Sequence, residues 1–440
     1  MKSESIYKSP VVIFGTTPDY VVKLSDKYHH DMFFIIDGKY ETDRRLKDMD
    51  PRILLFSALD DLGTNMENII NKFSDNGVSP RGIGCFDCES LIGASELAHR
   101  MNLPFPETGP IISSRNKFES KEIWNKSGIP CPKASLGSNI IEALEFFESV
   151  GSGIVLKPIS GSGSELTFCC NNEREIKNVV EIISSQLENR KSNPLFKELP
   201  SSGRSDIVDP CSIWVLEEYI NGHEFSCDFT LQDEQVTLIR VIEKRKDDKQ
   251  TFGSILAYIT PPTYPEGFSI SQIPFILKNA VRSLGFTWGW FMADFIIKDT
   301  APYIIEITPR PGGDSIPDLI EIATGEDILG IYLDFVSGRI KEIRPIPFPA
   351  MPFVSLNLYA DQEGVISQMD TSGVEGIPWV EKLFLSRQVG DSVLLPPLDY
   401  DSRKIGHCII PMDPSNELKE KQEFLINKIR LSISDHCDDL

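Results

Sequence analysis

Four short apolar runs in the first 110 residues constrain the fold more tightly than any other feature: "VVIFG" (11–15), "MFFII" (32–36), "RILLF" (52–56) and "RGIGCF" (81–86). Each has the length of a buried strand, and the stretches between them carry helical patterns. That alternation predicts βαβ units and a parallel sheet, so an α/β architecture for this part of the chain. Gly15 opens a turn after the first run, as in a dinucleotide-binding motif. The G-x-G-x-x-G spacing is absent, however, and no cofactor is expected there.

The chain has 440 residues, which suits two to four compact units rather than one core. Its formal charge of −21 disfavours nucleic acid or an anionic membrane as the main partner, because the long-range field repels phosphates. An anionic small molecule would need local positive charge or a metal. No stretch approaches the ~20 apolar residues of a membrane span, and "MKSESIYKSP" has no apolar leader core. Nine cysteines at irregular spacing argue against a disulfide framework and for reduced thiols in the cytoplasm.

The prolines of "PFPETGP" (104–110) mark a linker, and "SRNKFESKEIWNKSG" reads as a helix stopped at Gly128. Residues 153–170 are expected to form two strands joined by "ISGSGS", then a helix over 173–188 and a polar, mobile loop over 189–210. Strands are expected at 214–219, 224–232, 235–245, 289–297 and 302–307, with helices at 272–284 and 315–337. From about residue 345 strands mix with Pro/Gly turns, and an amphipathic helix closes the chain at 416–433.

Four segments could carry chemistry. In "VLKPISGSGSEL" (155–166), Lys157 ends a strand before a Gly/Ser loop whose bare backbone can close over anionic oxygens. From this segment alone a hairpin turn with a snorkelling lysine is the preferred reading. In "WVLEEYINGHEFSCDF" (214–229), backbone groups of Tyr219 and Ile220 could face an adenine edge and Glu224 could accept from ribose hydroxyls. Taken alone, Asn221-Gly222 says hairpin instead. In "FMADFIIKDTAPYIIEI" (291–307), antiparallel pairing would set Asp294 beside Glu306, and two carboxylates facing one closed space require a cation. Oxygen ligands that leave positions to water and phosphate suit Mg2+; the alternative pairs one acid with Arg310. In "YIIEITPRPGG" (303–313), Arg310 stands beside Gly312 and Gly313, which leave room for a ligand. Cys85-x-x-Cys88 has no second pair at zinc spacing and reads as two unligated thiols. His223 reads as a turn residue, and "EKRKDDK" (243–249) as a solvated loop.

The ordered set of these pieces resembles the ATP-grasp superfamily of carboxylate–amine ligases, from about residue 10 to 430, and "EITPRPGGDSIPDLIEIATG" (306–325) is most similar to the L-amino-acid ligases and their biotin-carboxylase-like relatives. The resemblance implies a parallel-sheet pre-grasp domain (1–110), an ATP-grasp domain (111–345) with a mobile lid (130–210), and a mixed C-terminal domain (346–440). It also implies ATP with Mg2+, or Mn2+ in its place. ATP would be held by Lys117, Lys157, the loop Ser160, Gly161, Ser162 and Gly163, the hinge Glu217, Tyr219 and Ile220, and the ribose acid Glu224. Asp294 and Glu306 would hold the metal. Lys157 and Arg310 would act in catalysis, with Arg310, Gly312 and Gly313 at the substrate. Many relatives carry Asn where Thr308 stands, which leaves a second metal to Glu306 and phosphates. Lys244 and Arg245 lie where relatives approach phosphate or substrate. The implied reaction joins a small carboxylate and an amine through an acyl phosphate. Carboxylating or purine-pathway chemistry and a non-catalytic nucleotide sensor are the alternatives, and a homodimer is the implied assembly.

Overall fold

The computed structural model describes residues 9–28, 32–50, 54–57, 62–75, 77–196, 209–247, 249–412 and 417–434. The four N-terminal runs form a parallel sheet in the order Leu54–Ser57, Met32–Asp37, Val11–Phe14 and Gly82–Gly84. Helices Pro18–Tyr28, Leu62–Asp75 and Leu91–Met101 connect and flank them. Val11–Phe14 is buried along its whole length, as a strand covered on both faces must be. Gly15 has φ +78°, and a Cβ there would lie 2.0 Å from Ser90 Oγ. The glycine therefore seats the 85–90 loop tightly against the first strand.

A second, antiparallel sheet runs Ala134–Gly137, Trp214–Glu218, Ile154–Pro158, Phe168–Cys170. Helices Ile140–Val150 and Glu173–Glu188, capped by Asn139 and Asn172, pack with it around Ile154, Leu156, Ile183 and Trp214. Its second strand is shorter than expected, because residues 162–167 are taken up by turns. Of the loop expected at 189–210, residues 197–208 lie outside the described residues.

The third sheet is antiparallel and has eight strands. It runs Ala301–Thr308, Gly289–Lys298, His223–Gln232, Gln235–Lys246, Ile255–Thr260, Phe353–Tyr359, Lys404–Pro411, Lys382–Leu385. Three strands from beyond residue 345 thus extend the sheet that begins at His223, with Ile259 paired to Val354. The Asn221-Gly222 step does not form a hairpin, because Trp214–Glu218 belongs to the second sheet and His223–Gln232 to the third. Gly222 is needed for a close approach: a Cβ would sit 2.4 Å from the Ile297 carbonyl oxygen.

The helical stretch expected at 315–337 is broken into Ile316–Thr324 and Ile328–Val336 by Gly325 in the left-handed region. The closing helix is shorter than the periodicity predicts. Leu418–Lys428 is helical, whereas Arg430–Ser434 alternates exposed and half-buried side chains and pairs with Gly364–Asp370 as a strand. No helix among the described residues is long and apolar enough to cross a membrane, and the eight cysteines among them are all free.

Gly222→Ala should destabilise the chain by about 1–3 kcal/mol, since the contact is with backbone that cannot swing away. A lowered urea midpoint with an unchanged slope checks this.

Candidate active site

The second and third sheets face each other across a cavity lined from both sides. Val155, Ile296 and Ile305 supply apolar lining, and Tyr219 packs edge-on to Phe252 at 6.1 Å. Lys157, Lys117, Glu217, Glu224, Lys244, Asp294 and Glu306 all line this one space. A wider cleft adjoins it and shares Asp294, Glu306 and the 162–165 loop. Arg310, Gly312 and Gly313 line the wider cleft.

Lys157 reaches Glu217 Oε2 at 2.7 Å, and Lys121 lies 3.1 Å from Oε1. All three side chains are buried. Burial would raise the Glu217 carboxyl, but the two ammonium groups hold it below its usual range. Lys121 was missed by sequence reasoning. The signal was its place four residues after Lys117 on the helix Lys117–Lys126, which puts both on one face. Lys117 donates to the Gly161 carbonyl at 2.8 Å, and burial lowers its affinity for a proton despite Glu306 nearby.

The loop expected to cover phosphate divides in two. Ser160 is buried and its hydroxyl is committed to the Leu195 carbonyl at 2.8 Å. Gly161 at φ +125° and Gly163 at φ +64° let the chain turn back over the cavity, with Ser162 between them. The Tyr219 N–H is also spent, on the Gly153 carbonyl at 2.9 Å, so its carbonyl is what remains for a ligand. Arg190 ties the second sheet's unit to the C-terminal segment. It reaches Glu165 at 2.6 Å and the Pro397 and Leu398 carbonyls at 2.7 and 2.8 Å.

In the third sheet Asp294 stands directly opposite Glu306. Burial raises the Asp294 carboxyl even with Lys244 opposing it. Burial acts the same way on Glu306, yet Lys117, Lys157, Lys121 and Arg310 pull it below its usual range. Lys244 bridges Glu224 at 2.5 Å and Asp294 at 3.0 Å, and Lys246 lies 3.1 Å from Glu224. Burial works against the Glu224 charge, but these two lysines bring its pKa down to about 2. Arg245, one residue along, points to the other face and pairs with Glu243 at 2.5 Å. So Lys244 lines the cavity and Arg245 does not.

Arg310 donates from Nε to Cys88 Sγ at 3.2 Å and from Nη1 to the Pro311 carbonyl at 2.9 Å. Gly312 has a structural reason for its missing side chain: a Cβ would lie 2.1 Å from Arg240 Nη2, and its N–H donates to Asp228 at 2.8 Å. Gly313 is the more open of the two, with nothing nearer than 3.9 Å. Thr308 is buried and lines neither cavity. In the wider cleft Asp314 accepts from Tyr258 at 2.8 Å and pairs with Lys404, while Asp318 pairs with Lys23 at 2.7 Å beside His407.

Among the described residues no three His, Cys, Asp or Glu converge on a point that could hold a metal ion. The protein therefore offers two carboxylates, Asp294 and Glu306, with a lysine ammonium already neutralising the first. That set fits Mg2+, which takes few protein ligands and leaves the rest to water and phosphate.

The family described as an ATP-grasp domain matches residues 150–318. An uncharacterized protein y4rH of Sinorhizobium fredii (strain NBRC 101917 / NGR234) is 22% identical over 388 residues, covering 85% of this chain and 73% of the relative. A D-alanine--D-alanine ligase of Acidovorax ebreus (strain TPSY) is 26% identical over 245 residues, covering 53% of this chain and 65% of its own. Among solved structures, L-amino acid ligase from Bacillus licheniformis superposes with a TM-score of 0.73 at 17% identity, covering 97% of this chain and 99% of that one.

Glu217→Gln should cost about 3 kcal/mol or more of stability, because it leaves two buried ammonium groups without a counter-charge. Chemical denaturation, with nucleotide binding followed in parallel, checks this. Lys244→Met probes pH dependence. The Glu224 pKa is depressed in the folded chain, so its contribution is present above the ordinary carboxylate pKa and is lost as pH falls towards about 2. The stability gap between wild type and Lys244→Met should therefore be wide at pH 7 and narrow progressively below pH 4.5 in urea melts.

Proposed function

Taking as premise that this chain carries an ATP-grasp domain, we propose that it is an ATP-dependent ligase that joins an amino acid, or a related carboxylic acid, to an amine. The observation that supports this most is the cross-strand pair Asp294 and Glu306, facing Lys117, Lys157 and Arg310 across two continuous cavities. The smaller cavity suits a nucleotide and the wider one suits the two co-substrates.

In this reading Lys117 and Lys157 meet the phosphates of ATP, Ser162 and Gly163 fold over them, and Glu224 accepts from the ribose. The hinge Glu217–Ile220 borders the adenine, with Glu217 acting through Lys157 rather than touching the base. Asp294 and Glu306 would hold Mg2+, which when bound screens phosphate charge and polarises the transferring group.

A carboxylate is a poor electrophile because its leaving group would be oxide. Its oxygen forms a bond to the γ-phosphorus of ATP, the bond from that phosphorus to the β-bridging oxygen breaks, and ADP leaves. The amine nitrogen then attacks the carbonyl carbon of the acyl phosphate, inorganic phosphate departs, and the nitrogen loses a proton. Arg310 would bind the phosphoryl oxygens and then the oxyanion of the tetrahedral intermediate. Lys157, held by Glu217, contributes a fixed positive charge to the first step. Because an acyl phosphate hydrolyses readily, the unit closed by the Arg190 contacts serves to exclude water.

The name of the D-alanine--D-alanine ligase relative supports amide formation. The intact Asp294, Glu306 and Arg310 favour turnover over nucleotide sensing.

Incubating the chain with ATP, Mg2+ and a mixture of amino acids should release ADP and phosphate with one new amide product visible by mass spectrometry. Glu306→Gln and Asp294→Asn should each lower kcat by roughly a hundredfold or more while the fold persists. Phosphate release that depends on bicarbonate, or full turnover in the Glu306→Gln chain, would sink the proposal.

A further inference from the structure

Cys85 and Cys88 are free thiols that belong to no cluster of three or more possible metal ligands among the described residues, yet the second thiol touches the arginine of the proposed site. The 85–90 loop that carries it is held from several sides. Gly15 admits Ser90 to a distance no side chain would allow. The Cys85 N–H donates to the Tyr332 hydroxyl at 3.0 Å, and the Ser90 N–H donates to Asp87 at 2.8 Å. Cys88, 7% exposed, therefore presents its sulfur from a fixed backbone.

Arg310 needs such a support. Its Nε donates to that sulfur, its Nη1 to the neighbouring Pro311 carbonyl, and among the described residues no carboxylate lies within ion-pair distance of it. We propose that Cys88 is the positioning residue for Arg310, aligning the guanidinium so that its remaining N–H groups face the cleft shared with Asp294 and Glu306. This role rests on the ligase reading given above.

The chemistry explains why sulfur suits the place. A carboxylate at residue 88 would align the guanidinium but also neutralise it, and so compete with the phosphoryl and carboxylate oxygens it is to bind. A thiol sulfur is a weak acceptor, so it directs the group and leaves its charge for the substrate. Water would outcompete so weak a bond at an exposed position, and the burial of Cys88 prevents that.

The experiment compares wild type, C88A, C88V and C88S, each also on an R310K background whose side chain has no guanidinium to align. Steady-state kcat and KM are read from ATP-dependent phosphate release, with thermal midpoints and nucleotide binding alongside. C88A and C88V, which keep no strong acceptor, should lose about tenfold in kcat, the scale of a misaligned catalytic group. Their KM for ATP and thermal midpoints should stay near wild type. C88S, whose hydroxyl accepts from Nε, should recover most of the loss, and none of the three should lose further on R310K. If C88A is unstable, C88V, which leaves no cavity, decides. Wild-type kcat in C88A or C88V, failure of C88S to recover, or an equal further loss on R310K overturns the role. A wild-type chain without ATP-dependent turnover overturns the ligase reading, and the role with it.

Discussion

The register between Gly289–Lys298 and Ala301–Thr308 is the constraint on which the site depends, because it sets Asp294 opposite Glu306. A slip of one residue would turn one acid into the core and move its apolar neighbours into the cavity. The register is secured from both sides of the pair. Phe295, Ile297, Ile304 and Ile307 are buried in one cluster, and Gly289–Lys298 is paired again to His223–Gln232 across nine positions. The chemical pair is thus a consequence of apolar packing on the opposite face of the same strands.

Charge is organised around that pair in a way a folded protein rarely tolerates. Lys121, Lys157 and Glu217 are all buried, and Lys244 lies between two carboxylates. Taking such groups out of water is costly unless each finds a partner. The arrangement holds because every cation has an oxygen close by: Lys157 has Glu217, Lys121 also has the Ile305 carbonyl, and Lys117 has Gly161. The result is a preorganised set of positive charges facing two acids, so little rearrangement accompanies the arrival of a triphosphate. The wider cleft is made from helix Pro18–Tyr28, the turn after Thr308 and strand Lys404–Pro411, which explains why its polar residues are scattered along the whole chain.

Much of this was legible in the sequence where the signal was local. The parallel sheet, the strand ending at Lys157, the acids 294 and 306 and the turn at Arg310 each follow from patterns a few residues wide. Where the reading failed, two local signals competed. Asn221-Gly222 carries the strongest hairpin dipeptide, but its strands pair elsewhere, so Gly222 answers to the Ile297 carbonyl rather than to a turn. Arg430–Ser434 follows a helical stretch but alternates like a strand, and its partner Gly364–Asp370 lies far upstream. Gly312 suggested open space and in fact accommodates Arg240.

The sequence by itself determined the kinds of elements, their order and which positions carry charge, because periodicity, glycine turns and strand-end acids act over a few residues. Only the tertiary structure decided which of those charges meet. It placed Lys121 on Glu217, turned Lys244 inward and Arg245 outward, and brought Cys88 to Arg310 across 222 positions of chain. The physical reason is that such contacts depend on how whole sheets pack, and packing is set by the sum of many apolar burials rather than by any local pattern.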